Sequence, residues 1–161
     1  MRELHNRHII QSMNGSAAAD VSLRSGPDDG ALIAVLGAAE QLHARLEAAL
    51  AAVGLSVSKF DAMDQLVRAG DPMTLGSLAG RLHCVRSNVT QLVDRLEAEG
   101  LVQRGGCSED RRAIRARVTP LGAERHAAGL EAIRAVQAAV ADRLPPSDRA
   151  RLVELLAALD E

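Results

Sequence analysis

At 161 residues the chain is about one domain, long enough to bury a core. Its net charge is only −2, so attraction to a polyanion must come from local charge and not from the molecule as a whole. No apolar run approaches the ~18 residues that cross a bilayer, the N-terminus lacks a hydrophobic signal segment, and the two cysteines, Cys84 and Cys107, make no disulfide framework. These features exclude a membrane partner and read as a cytoplasmic protein with free thiols. Phe60 is the only aromatic residue. The core therefore rests on Leu, Ala, Val and Ile, a composition that favours helices because Ala and Leu lose little side-chain freedom there.

Residues 1–28 mix Asn, Ser, Gly, Asp and Pro and read as a flexible tail; a short helix at 2–13 packing on a partner subunit is the alternative. Asp28 or Asp29 can cap a long helix to about Val53, with Gly54 as its stop. Leu32, Leu36, Ala39, His43, Leu46, Leu50 and Val53 follow a 4-3 spacing, and Ile33 and Leu42 widen the seam to a second face. Two apolar faces need more partner surface than one small domain offers, which points to a subunit interface. Ser56 to Lys59 opens a second helix, with Phe60, Met63, Leu66 and Val67 inward and Gly70 as stop. Asp71-Pro72-Met73 reads as a turn. Thr74 caps a helix over 75–83, and after a break at His83-Cys84-Val85 another runs over 86–99, ended by Gly100.

Residues 74–119 carry eight arginines against five acids, while the rest of the chain is acidic in balance. On the helix over 86–99, Val89, Leu92, Val93 and Leu96 form the apolar stripe. The opposite face holds Arg86, Ser87, Asn88, Thr90, Gln91 and Arg95, the side-chain types that hydrogen-bond base edges and phosphates. A merely solvated face usually carries Glu and Lys, and here the acids come only later. Leu101 to Arg104 is a short strand, residues 105–110 turn, and Arg112 to Val118 return with the two-residue period of a half-buried strand. Arg115 and Arg117, outward on the return strand, and Arg111 and Arg112 at the tip can then straddle a phosphate backbone, one of the tip pair entering a minor groove; Arg104 is a further candidate for DNA binding. Thr119 caps a helix to about Leu144, with Pro120 at its first position. Pro145-Pro146 breaks it, and Ser147 caps a last helix carrying Leu152, Val153, Leu155, Leu156 and Leu159.

The sequence Thr74-Leu75-x-x-Leu78-Ala79-x-x-Leu82, followed by Arg86-Ser87-Asn88-Val89-Thr90-x-Leu92-Val93-Asp94-Arg95-Leu96-Glu97-x-x-Gly100-Leu101-Val102-x-Arg104, Asp110-Arg111-Arg112-Ala113 and Val118-Thr119-Pro120-x-Gly122, resembles the multiple-antibiotic-resistance regulator (MarR) family over about residues 30–160. The resemblance implies a mainly α (α+β) fold, a winged helix-turn-helix lobe over 55–119 flanked by dimerisation helices at 29–54 and 120–161. It also implies a bacterial or archaeal, nucleoid-associated homodimer on double-stranded DNA, probing a pseudo-palindrome with two recognition helices and responding to a small-molecule effector or to thiol oxidation. Carried over by position, Arg86, Ser87, Asn88, Thr90 and Gln91 read bases or phosphates, Arg95 and Asp110 pair the recognition helix with the wing, and Arg111 or Arg112 is the wing-tip arginine. Val85 stands where the family usually has a serine, and it cannot cap.

Cys84 at the helix-turn-helix turn and Cys107 in the wing are candidate redox sites, Cys107 the better because arginines around it favour a thiolate. Five histidines without a Cys-x-x-Cys or a close His/Glu pair argue against a metal site, and no cofactor is implied. No nucleophile–base pair or phosphate loop suggests an enzyme. The competing expectation is a winged-helix protein-interaction module without DNA binding.

Overall fold

The computed structural model describes residues 29–106 and 114–158. The expected N-terminal tail, the cap at Asp28, and the wing tip with Cys107, Asp110, Arg111 and Arg112 lie outside the described residues, as does Leu159. The chain divides into two compact units, Met1–Gly37 and Ala38–Glu161. In the first, the described residues are the opening turns of helix α1 (Asp29–Ala51), where Leu32, Ile33 and Leu36 are exposed.

The second unit holds the rest in the order α2 (Val57–Ala69), β1 (Met73–Thr74), α3 (Leu75–Arg81), α4 (Arg86–Ala98), β2 (Val102–Gly106), β3 (Ile114–Val118), α5 (Pro120–Ala141) and α6 (Pro146–Ala157). The fold is mainly helical with one small antiparallel sheet, in the strand order β1-β3-β2. Its deepest side chains are Leu50, Met63, Leu78, Val89, Val93, Leu96 and Val102. α2, α3 and α4 thus close over the sheet with the end of α1. The core's helical members are each drawn from one stripe of their helix.

Local chemistry accounts for the helix ends. Thr74 Oγ1 accepts from Ser77 N at 3.1 Å, Ser56 Oγ from Lys59 N at 3.2 Å, and Thr119 Oγ1 from Gly122 N at 3.0 Å. Each cap satisfies a first-turn N–H that the helix leaves without a partner. Glu47 of α1 does the same from a distance, accepting from Val57 N at 3.2 Å. At the other ends, α1 and α4 close identically. Gly54 and Gly100 adopt φ of 75° and 71°, and the following leucine N–H returns to Leu50 O and Leu96 O, both at 2.9 Å. This paired-bond stop drops Leu55 and Leu101 into the core.

Several boundaries differ from the sequence expectation, among them the end of β2, which runs on to Gly106 where a turn was expected from residue 105. Met73, expected in a turn, begins strand β1, and its register pairs it with Ala116 and Thr74 with Arg115. Two residues are too few to show a strand period, and the pairing comes entirely from β3. α5 ends at Ala141, not near Leu144, as its last turn tightens into Arg143 N to Val140 O and Leu144 N to Ala141 O bonds. α6 opens on Pro145 and Pro146, not on Ser147. Pro146 holds Pro145 extended and has no N–H to leave unpaired, so no side-chain cap is needed.

On α2, Phe60 stacks on His126 of α5 with ring centroids 5.0 Å apart, and His126 Nε2 lies 3.1 Å from Asp64 Oδ1. Arg68 Nε sits 2.7 Å from the other oxygen of Asp64. His43, in the apolar seam of α1 read as a subunit interface, is exposed in the single chain, 4.0 Å from Glu47.

Beside this cluster the Asp61 carboxyl is held above its ordinary value by partial burial, then by the carboxylates of Asp64 and Glu47, with His43 opposing. The folded chain therefore binds that proton more tightly than the unfolded chain. Stability falls as pH rises from the unfolded carboxylate value through the raised folded one. Asp61→Asn removes this loss. Denaturant titrations from pH 3 to 7 are expected to show the variant gaining on the parent as pH rises, and a constant difference would contradict the assignment.

Candidate nucleic-acid interface

The helix-turn-helix is built by α3, a four-residue turn and α4. In that turn His83 N donates to Gly80 O at 3.3 Å and Cys84 N to Ala79 O at 3.1 Å. This is the same stop used at Gly54 and Gly100, but here His83 takes the left-handed position at φ 50°. His tolerates that region better than β-branched residues do, at a cost of order 1 kcal/mol. Cys84 follows as an exposed thiol.

Val85 is the N-cap of α4 and provides no side-chain bond. No other side chain caps the helix in its place. The first turn of α4 thus begins with uncapped N–H groups and no acidic residue, a donor set that suits an anion.

Around α4 the residues sort by helical position. Val89, Val93 and Leu96 are buried. On the far side Ser87, Gln91 and Arg95 repeat at i, i+4 and i+8, flanked by Asn88, and all four are exposed. Arg86 is exposed at the start of the helix. Thr90 is half-buried, and its hydroxyl donates to Arg86 O at 3.0 Å. Of the expected reading residues, Thr90 is therefore the one turned toward its own helix.

The acids of α4 are matched by cations from outside the helix. Lys59 Nζ of α2 lies 2.5 Å from Glu99 Oε1. Arg104 of β2 pairs with Asp94, stands 3.6 Å from Glu97, and donates Nη2 to Thr90 O at 3.1 Å. Its backbone N also donates to Glu97 Oε1 at 3.0 Å. The sequence made Arg104 a candidate for DNA binding; the structure turns its guanidinium inward instead, because three acceptors converge there. Arg115 donates Nη1 to Pro72 O at 3.2 Å across β1. Arg117 is exposed and lies opposite Gln103, whose side-chain amide, turned over so that its oxygen faces the guanidinium, accepts from Arg117 Nε and Nη2.

Arg95 is exposed on α4; its expected partner Asp110 lies outside the described residues, with Arg111, Arg112 and Cys107. Among the described residues, no group of three or more His, Cys, Asp or Glu side chains converges as for a metal ion, and no helix is long and apolar enough to cross a membrane.

A helix-turn-helix whose second helix presents an exposed polar face, backed by an antiparallel hairpin, defines a winged helix-turn-helix domain. Residues 55–114 match the model described as the MarR family. Over 64 residues it is 36% identical to the uncharacterized HTH-type transcriptional regulator YsmB of Bacillus subtilis (strain 168). That match covers 40% of this chain and spans 43% of the length of the relative. The fold extends further. The transcriptional repressor CouR, solved bound to a 23-mer DNA duplex, superposes with a TM-score of 0.71 at 22% identity, covering 85% of this chain and 100% of that one. The organohalide-sensing regulator RdhR, solved with 2,4-dichlorophenol, gives 0.73 at 17% identity over 91% of this chain and 85% of that one.

Proposed function

We propose that the chain is a sequence-specific, double-stranded DNA-binding transcriptional regulator that acts as a homodimeric repressor in the cytoplasm, and not as an enzyme. The observation that carries this reading is the exposed face of α4, where Ser87, Asn88, Gln91 and Arg95 lie side by side opposite the buried stripe. Arg and Lys read guanine, Asn and Gln read adenine, and Ser serves either. The DNA-bound CouR structure shares this fold, as does RdhR with its phenolic ligand. By analogy the output answers to a small molecule or to oxidation of a thiol, for which Cys84 is exposed at the turn.

The dimer in this proposal is supported by α6, none of whose residues is buried although it carries Leu152, Val153, Leu155 and Leu156. A second copy would cover them and set two α4 helices about 34 Å apart, one turn of DNA.

Titrating nonspecific duplex DNA over a salt series tests the reading. Affinity should fall steeply and linearly on a log–log plot as counterions are released. No binding at low salt would favour a winged-helix module that recognises protein instead.

A further inference from the structure

On the exposed half of α4 two stripes run side by side. Ser87, Gln91 and Arg95 form one; Thr90, Asp94 and Glu97, at i, i+4 and i+7, form the other, roughly a quarter turn away on a helix of about 3.6 residues per turn. Arg104 touches only the second. It meets all three of its members, through Thr90 O, the Asp94 carboxylate and the Glu97 carboxylate. Its side chain is 22% exposed, and its Nε is buried. The backbone N of the same residue bonds Glu97 as well, so main chain and side chain of one β2 residue grip three positions of one helix.

We propose that Arg104 is a positioning residue: it fixes the rotation of the recognition helix α4 against the wing strand β2 and screens Asp94 and Glu97 from the phosphates, without itself contacting nucleic acid. This rests on the DNA-binding reading above. The physical reason is geometric. A planar guanidinium offers five donors in a fixed fork, so it can hold several acceptors in one arrangement, which the single ammonium of a lysine cannot reproduce. Rotation of α4 about its axis would swing Gln91 and Arg95 off the base edges, and Arg104 resists that rotation by holding a stripe beside them. Glu99, held by Lys59 from α2, secures the end of the same helix from another element.

The test compares Arg104→Gln, Arg104→Lys, Asp94→Asn and Arg104→Gln/Asp94→Asn on a site selected from random duplex DNA and on nonspecific duplex, each across a salt series. Arg104→Gln should lower selected-site affinity about tenfold while leaving the log–log salt slope unchanged. Arg104→Lys should recover only part of the loss. The double variant should be no worse than Arg104→Gln alone. A slope reduced by about 0.9, as for one lost phosphate contact, with a loss that simply adds to that of Asp94→Asn, would overturn the proposal.

Amide hydrogen exchange without DNA provides an independent arm. α4 amides should exchange faster in Arg104→Gln than in the parent, and unchanged exchange also overturns the proposal. If the parent binds no duplex at low salt, the DNA-binding reading fails by itself. The exchange arm then still decides whether Arg104 holds the helix.

Discussion

Gly122→Ala is expected to destabilise the fold by about 3 kcal/mol, at the upper end of what overpacking usually costs, lowering the midpoint of thermal unfolding by roughly 6–12 °C for a chain of this size. A Cβ at this position would lie 2.0 Å from Leu101 O, 2.9 Å from Leu101 C and 2.7 Å from Val118 Cγ1. The first two are backbone atoms, and that backbone cannot easily yield. Leu101 O accepts from Thr119 N at 3.0 Å, Thr119 Oγ1 bonds Gly100 O at 2.7 Å, and the Leu101 side chain is buried. The start of α5 would have to lift from the base of the wing.

Gly129 gives the internal comparison, because a Cβ there meets Phe60 Cδ2 at 2.8 Å and Leu55 Cδ1 at 3.1 Å, both on side chains. Gly129→Ala should therefore cost less, about 1–2 kcal/mol, through displacement of the Phe60 ring from His126. Calorimetry of the two variants checks the order. A Gly122→Ala protein as stable as the parent would mean that α5 does not approach β2 this closely.

What was legible in the sequence follows from the range over which each signal acts. Thr74, Thr119 with Pro120, and Gly100 are local devices whose meaning is complete within four residues. Val89, Val93 and Leu96 announce their helix face by spacing alone. Residues that depend on a distant partner were misjudged or missed. Arg104 was a candidate for DNA contact, yet Thr90 O, Asp94 and Glu97 on α4 draw its guanidinium in, and Arg115, outward by strand alternation, donates to Pro72 O in the turn before β1. Strand β1 exists only because β3 offers it a ladder. His126 gave no sign in the sequence of stacking on Phe60 or of meeting Asp64, residues sixty-odd positions earlier in the chain. The left-handed turn at His83 was concealed because glycine is the usual mark of that conformation.

The largest effect on function is expected from Gln91, the middle of the exposed stripe on α4. A glutamine amide can donate to and accept from one adenine edge at once, and such a paired contact discriminates by about 1–3 kcal/mol. In a homodimer the substitution strikes both half-sites, and losses at separated positions add. Gln91→Ala should then weaken binding to a selected operator by about 2 kcal/mol or more, some thirtyfold. Nonspecific binding and its salt slope should be unchanged, since no charge is removed. Folding should be little affected because Gln91 is exposed and alanine is the better helix former. Parallel titrations of operator and scrambled duplex, with unfolding measured on the same samples, separate these contributions. An equal loss on both duplexes would show that Gln91 serves the backbone and not the bases. Retained affinity on both would move base recognition to Ser87, Asn88 and Arg95, the neighbours on the same face.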